Sequence, residues 1–487
     1  MYRRKKMHIH FVGIGGIGMS GIAQILKNQG YIISGCDNDL QQQSVIDLQA
    51  SGCTVFQGNN SHGCHDSSID VVVYSTMIRL DHPELVAAQK RGIPTIRRAL
   101  MLAELMRTKY SIAITGAHGK TTTTSLISHI LIEAKMDPTV IIGGHLKNIS
   151  ANARWGSGDF LVAEADDSDR SFLHLHATIA LVTNIDLEHL ETYRDIDDIK
   201  DTYKQFLNNL PFYGCAILCT DDPHTRSILP LPHLKTVKYG FDDSADIYAH
   251  NVLLDVDSSH FDVCTKNQQQ PLGTIQINMP GRHNVLNALG ATALALHLEI
   301  PFATIAQALS SFKGIERRFS YHGTFLGAEI FDDYGHHPEE IRNTLLVARK
   351  RTKNKLILVF QPHRFTRTHK LWDWFVQILI DSPINALIIT DIHAACEDPI
   401  PEITSANLVK ALAQRNPRFE LYYAPLDEHF ASITRILETI TEPDDLILLQ
   451  GAGKINKLAD LLQTKSTTLH SSMNTNKNKK NHVEESA

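Results

Sequence analysis

Nothing in this 487-residue sequence approaches the ~18 consecutive apolar residues that a membrane-spanning helix requires, so no membrane insertion is expected. Nor is there an excess of positive charge. Lys and Arg number 47 against 53 Asp and Glu, a net charge of −6, which offers nucleic acid no basic field. Cysteine is sparse: positions 36, 53, 64, 215, 219, 264 and 396 are scattered and odd in number. Cys215 and Cys219 near His224 suggest half a metal site, but no second ligand pair follows at zinc spacing. They read as buried reduced thiols, which fits a cytoplasmic protein. The basic start, Met1 to Met7, imitates a signal peptide. Glycines interrupt the apolar stretch behind it and no cleavage site is clear, so it reads as a first strand entering a glycine turn.

What is present is an ordinary soluble composition, 43% hydrophobic and 21% charged, in a chain long enough for about three domains. Short apolar strands alternate with helical stretches, which predicts an α/β fold with mostly parallel sheets. Strands are expected at 8–13, 31–37 and 70–75, then at 111–115, 160–164 and 179–184, and later at 355–360, 386–390 and 446–450. Helices are expected at 18–28, 98–107, 284–297 and 301–312. Between about 230 and 280 short alternating segments predict a small antiparallel sheet. Residues 465–487 are rich in Ser, Thr, Asn and Lys without apolar spacing, and read as a disordered tail.

Two glycine-rich loops carry the chemistry. Gly13, Gly15 and Gly18 satisfy G-x-G-x-x-G between a strand and a helix, and Asp37 closes the second strand. Such glycines let a diphosphate approach the backbone at a helix N-terminus, and an acid at Asp37 can bond a ribose. Alone, this loop favours a nicotinamide or flavin dinucleotide, with a structural turn as the alternative. The second loop, Thr115 to Thr122, keeps Gly119-Lys120-Thr121 but has Ile114 where the usual phosphate loop has its first glycine, and Gly116 instead. Backbone N–H groups from His118 to Thr121 can cradle phosphates, Lys120 can reach the β/γ oxygens and Thr121 can ligate Mg²⁺. Glu164 ends an apolar strand and is a natural oxygen ligand for the same cation. Asp166, Asp167 and Asp169 beside it read as solvated surface. His189, one of 26 histidines, is not singled out by composition.

Together these motifs resemble the Mur ligases, the ATP-dependent enzymes that add amino acids to the peptidoglycan precursor. The resemblance covers about residues 8–463. It rests on the Gly13 loop, the Gly116–Thr124 loop, the Val162–Asp169 segment, Gly281–Ala288, Glu316–Phe319, Phe331–Pro338 and Phe360–Thr368. It implies three domains: a Rossmann-like UDP-binding domain at 1–107, a central P-loop ATPase-like domain at 108–320 and a Rossmann-like C-terminal domain at 321–464. The first loop is thereby reassigned, with Gly13, Gly15, Gly16, Gly18, Asp37 and Ser75 holding the UDP part of UDP-N-acetylmuramate. Gly116, Ala117, His118, Gly119, Lys120, Thr121 and Thr122 would hold ATP, with His283, Asn284, Asn287 and Arg317 on its adenine and phosphate side. Thr121, Glu164 and His189 would hold Mg²⁺. Tyr334, His336, Arg364 and Arg367 would form the L-alanine pocket, His336 being the candidate general base. Ala117, Glu188 and Cys396 depart from the family's usual threonine, aspartate and glycine. Two other readings compete: a family member that recycles whole peptides onto the sugar nucleotide, and a NAD-dependent dehydrogenase using the first loop alone.

Overall fold

The computed structural model describes residues 6–58, 66, 68–146, 151–395 and 397–465. Cys64, Cys396 and the expected tail beyond Lys465 lie outside them. The chain forms two compact units, Met1–Ile315 and Glu316–Ala487.

The first unit holds two sheets. Strands β1 (His8–Val12), β2 (Ile32–Asp37), β3 (Thr54–Gln57), β4 (Ile69–Tyr74) and β5 (Thr95–Arg97) form one, in the order β3-β2-β1-β4-β5 with every pair parallel. The order reverses between β1 and β4, so the turns after both strands open onto one crevice, where ligands of such sheets bind. The second sheet comprises β6 (Tyr110–Thr115), β7 (Thr139–Leu146), β8 (Ala151–Arg154), β9 (Phe160–Glu164), β10 (Ile179–Val182), β11 (Cys215–Cys219), β12 (Lys235–Gly240), β13 (Ile247–Leu254), β14 (Ser259–Thr265) and β15 (Gly273–Ile277). Its order is β15-β14-β13-β12-β11-β10-β6-β9-β7-β8. The segments between 230 and 280 are antiparallel where β13, β14 and β15 meet, as expected. They do not stand apart, because Tyr239 and Gly240 of β12 pair in parallel with Ile247 and Tyr248 and so continue the central sheet.

Burial explains the apolar runs. β10 and β11 are buried along their whole length, as parallel strands covered on both faces must be. Helices Lys120–Glu133 and Arg282–His297 pack against each other, and Gly290 of the latter lets the Tyr239 ring come close. Cys36, Cys53, Cys215, Cys219 and Cys264 are buried free thiols, as expected.

The second unit is built on β16 (Ser320–Phe325), β17 (Ala328–Asp333), β18 (Leu356–Phe360), β19 (Ala386–Ile389), β20 (Glu420–Tyr423) and β21 (Leu446–Gln450), in the order β16-β17-β21-β18-β19-β20. Only the β16–β17 pair is antiparallel. Among the described residues no helix is long and apolar enough to cross a membrane.

Leu181 sits fully buried in the middle of the central sheet. Leu181→Ala is expected to cost about 2–5 kcal/mol, because the sheet on either side cannot collapse into the cavity. Urea unfolding checks this: the transition of the first unit should move to lower denaturant with its m-value unchanged.

Candidate nucleotide and amino-acid sites

The second glycine loop joins β6 to helix Lys120–Glu133, as its sequence requires. Two of its positions accept only glycine. Gly116 has φ +135°, and a Cβ there would lie 2.0 Å from Thr183 Oγ1; Gly119 has φ +82°, and a Cβ would lie 2.4 Å from Asn287 Oδ1. A clamp from the end of β10 fixes the loop. Ala117 N–H donates to the Asn184 carbonyl at 3.0 Å, and His118 N–H donates to Asn184 Oδ1 at 2.9 Å. Thr183 Oγ1 and Asn184 Nδ2 donate back to the His118 carbonyl at 2.6 and 3.0 Å. The His118 N–H is therefore committed within the protein, which leaves the N–H groups from Gly119 onward at the helix N-terminus as the anion-facing set. His118 Nε2 lies 3.0 Å from Asp186 Oδ2. Thr122 is buried in the first turn.

Lys120 folds back over the loop. Its ammonium donates to the carbonyls of Gly116 (2.6 Å) and Ala117 (3.1 Å) and to Asp167 Oδ1 (2.9 Å). Burial alone would lower its pKa, but Asp167, then Glu188 and Glu164, outweigh that and hold it above the ordinary lysine value. Asp167 was expected on the solvated surface. It is instead 4% exposed, and its Oδ2 accepts the Tyr203 hydroxyl at 2.6 Å. Its neighbours are likewise engaged: Asp166 pairs with Arg98 at 3.1 Å, and Asp169 accepts the Ser171 N–H at 2.9 Å. A run of acids looks solvated in sequence, and only the fold shows which one turns inward.

Thr121 Oγ1 lies 3.0 and 3.2 Å from the two Glu164 oxygens, and Glu164 also accepts the Gly143 N–H at 2.9 Å. These hard oxygen donors suit a magnesium ion. His189 has φ +53°, and its ring nitrogens lie 3.7–3.8 Å from the Glu191 and Glu188 carboxylates. Burial would lower its pKa, but Glu188 and Glu191 raise it overall; Asp167 and Lys120 also act on it, which places it beside the loop. Asn287 reaches the loop from helix Arg282–His297: Thr123 Oγ1 donates to its Oδ1 at 3.3 Å, and its Nδ2 faces Asn284 Oδ1 at 3.4 Å. His283 occupies the first turn of that helix. Arg317, expected with these residues, belongs to the second unit, where it donates to the Gly451 carbonyl at 2.7 Å.

At the first loop, Gly13 (φ +77°) and Ile14 donate N–H to the Cys36 carbonyl at 2.9 and 3.0 Å. Gly15 N–H donates to Asp37 Oδ2 at 2.8 Å, and a Cβ on Gly15 would come within 2.9 Å of that oxygen. Asp37 thus shapes the loop itself. Gly16 caps helix Ile17–Asn28, and Gly18 lies under the Arg98 side chain. Ser75 follows β4, whose Tyr74 pairs with Val12, so it lies at the same sheet edge as Gly13. Arg98 lies against Gly18 of the first loop's helix and pairs with Asp166, so it links that helix to the acidic segment after β9.

In the second unit, the candidate residues gather at the carboxyl ends of β17, β18 and β19. Tyr334 lies under the Arg317 guanidinium, 4.8 Å from its ring centroid, and meets His336 edge-on at 5.5 Å. His336 Nδ1 is 3.1 Å from the Tyr334 carbonyl, which can only accept, so Nδ1 carries a proton in this contact. Sequence reasoning missed His363, which packs on His336 and stacks on His393, each at 5.3 Å. Arg367 Nη1 is 3.2 Å from His363 Nδ1, so that nitrogen accepts. Arg364 has φ +69° and lies 3.7 Å from Glu397. Burial first, then the charges of His336, Arg367, His393 and Arg364, push His363 down to about 2. Burial pushes Asp333, beneath them, up to about 6.

A strand–loop–helix phosphate site with a strand-end acid, on a chain carrying two further α/β sheets, is the arrangement of a nucleotide-using α/β enzyme. The chain belongs to the Mur ligase family: residues 8–110 match the family's catalytic domain, 114–295 its middle domain and 317–453 its glutamate ligase domain. The chain is similar to the UDP-N-acetylmuramate–L-alanine ligase of Syntrophus aciditrophicus, at 46% identity over 94% of this chain and 93% of that one. The enzyme of the same name from Geotalea uraniireducens is also 46% identical, over 94% of this chain and 97% of its own. Among solved structures, the UDP-N-acetylmuramate-alanine ligase of Thermotoga maritima matches with a TM-score of 0.78 at 25% identity, covering 95% of this chain and 99% of that one.

His363 titrates far lower in the fold than the 6.5 of a free histidine. The unfolded chain therefore binds the extra proton first, and stability should be lost as pH falls below about 6.5 towards about 2. His363→Gln, which can still accept from Arg367, should flatten that acid limb in urea unfolding followed across pH. An unchanged slope would mean the ring is solvated.

Proposed function

We propose that this protein joins L-alanine to the carboxylate of UDP-N-acetylmuramate at the expense of ATP, in the cytoplasm, each of its three sheets carrying one substrate. The observation that carries this reading is the Lys120–Thr121–Glu164 constellation at the end of β6, in a chain of this family so similar to alanine-adding relatives. The recycling ligase and the dehydrogenase are less well supported, since the relatives reported above act on alanine and a dehydrogenase has no use for Lys120 and Glu164.

The chemistry follows from a poor leaving group. A carboxylate cannot lose oxide to an amine, so the γ-phosphoryl of ATP is first transferred to it, giving an acyl phosphate and ADP. The amine of alanine then attacks the carbonyl carbon, and the tetrahedral intermediate expels phosphate. Two anions meet in the first step. In the proposed roles, Lys120 and the N–H groups at the head of its helix offset that charge. Thr121 and Glu164, with His189 alongside, would hold magnesium, which supplies further charge neutralisation on the phosphates. His283, Asn284 and Asn287 flank the nucleotide. The turns after β1 and β4 take the uridine diphosphate. Arg364 and Arg367 are the fork for the alanine carboxylate. His336, its Nδ1 proton directed at the Tyr334 carbonyl, presents Nε2 as the base that accepts the ammonium proton.

Phosphate release should require ATP, Mg²⁺, UDP-N-acetylmuramate and L-alanine together, with one UDP-muramoyl-alanine formed per phosphate. Release that ignores alanine but responds to a tripeptide would favour the recycling activity. Lys120→Ala is expected to lower turnover by about 10²–10³ while leaving binding of the sugar nucleotide intact, as isothermal titration would report. His336→Gln should remove the acid limb of the kcat/KM–pH profile; a profile and rate equal to the parent's would reduce His336 to packing.

A further inference from the structure

An ammonium group has three N–H donors, and those of Lys120 are all in use: the Gly116 carbonyl, the Ala117 carbonyl and Asp167 Oδ1. In this arrangement none is left for a phosphate. A nucleotide can gain Lys120 only by taking it from these acceptors. Two of them are neutral carbonyls of the loop the nucleotide would occupy. The third is a buried carboxylate, the strongest of the set.

Asp167 is also held from behind. Its Oδ2 accepts the Tyr203 hydroxyl at 2.6 Å, and its backbone carbonyl accepts the Tyr193 hydroxyl at 2.5 Å. Tyr203 is 1% exposed, on helix Ile196–Asn208, where its ring packs edge-on to Phe172 at 5.4 Å. The carboxylate is thus fixed to the body of the unit, whereas Lys120 is a flexible stem of four carbons. When the lysine swings toward a phosphate, Asp167 cannot follow.

We infer that Asp167, anchored by Tyr203, is a positioning residue that competes with the nucleotide's phosphates for the Lys120 ammonium. It keeps the free loop stable by neutralising a buried cation, and it sets nucleotide affinity below what the loop alone would give. This rests on the phosphate-binding role proposed for Lys120. Competition has a sign that simple structural support does not share. Removing a supporting residue loosens a loop and weakens its ligand. Removing a competitor destabilises only the free state, and the ligand binds tighter.

The test is isothermal titration of the full-length protein with ADP and Mg²⁺, without sugar nucleotide or alanine. Asp167→Asn should tighten ADP by about tenfold, the scale of a buried charge coupling. It should also lower the melting temperature of the free protein more than that of the ADP complex. Tyr203→Phe, which frees the carboxylate without removing it, should move affinity the same way by a smaller factor. In a Lys120→Ala background neither change should alter ADP binding, because the competition runs through that ammonium. Weaker or unchanged ADP binding in Asp167→Asn, with Lys120→Ala itself weakening ADP, overturns the competition and leaves the loop assignment standing. ADP binding indifferent to Lys120→Ala would remove the loop assignment and the inference with it. If Asp167→Asn does not fold, the Tyr203→Phe and Lys120→Ala cycle decides alone, by the same signs.

Discussion

A buried cation with a fixed counter-ion is the constraint around which the first unit is arranged. Lys120 stays charged out of water because Asp167 stands 2.9 Å away, and Asp167 stays in place because two tyrosine hydroxyls from other elements bond it. The loop under the lysine is equally determined. Asn184 takes the N–H groups of Ala117 and His118, and Gly116 and Gly119 adopt backbone angles that a side chain would forbid. Removing any one partner leaves a buried polar group unsatisfied, which costs more than the bond was worth. The loop's carbonyls and its lysine are thus committed within the protein, and the N–H groups at the head of the helix are what remain for an anion.

All three sheets repeat one geometric rule. Parallel strands end at a common edge, and the turns there carry the candidate residues: Gly13 and Ser75 on the first sheet, Lys120, Glu164 and His189 on the second, Tyr334, His336 and Arg364 on the third. In the first unit Arg98 links two of these edges, touching Gly18 and pairing with Asp166. Under the proposed function, Arg98 would stand between the sugar-nucleotide turn and the acids that follow Glu164.

Much of this was legible in the residues. Strand 160–164 and strand 446–450 appear with the boundaries their apolar runs predict, because buried parallel strands leave no ambiguity of face. Glycine loops were legible because only glycine tolerates their backbone. Asp167 was not, since three acids in four residues carry no mark of which one faces inward. The Asn184 clamp was hidden for a related reason: an amide that holds a loop through backbone atoms looks like any strand-end asparagine. His363 was overlooked beside two arginines, although burial, with their charge adding to it, is what empties it of its own. Arg317 was grouped with residues of the first unit by family likeness, and its contacts in its own unit are with Gly451 and Tyr334.

The two candidate sites handle charge in opposite ways, and the ligands proposed for them would explain why. Around Lys120 the protein keeps charge: a cation above its ordinary pKa, held by acids, ready to meet a polyanion. Around Arg364 it removes titratable charge. Burial first, with the neighbouring charges adding to it, keeps His363 neutral near neutral pH, so it brings no titrating charge to the side of Arg364 and Arg367. Under the proposed function, alanine arrives as a zwitterion whose carboxylate would need a constant partner while its ammonium must lose a proton to react. A histidine that changed charge beside the arginines would couple those two requirements. In that reading, holding His363 neutral separates them, and leaves His336, which meets the Tyr334 carbonyl through Nδ1, as the proposed base.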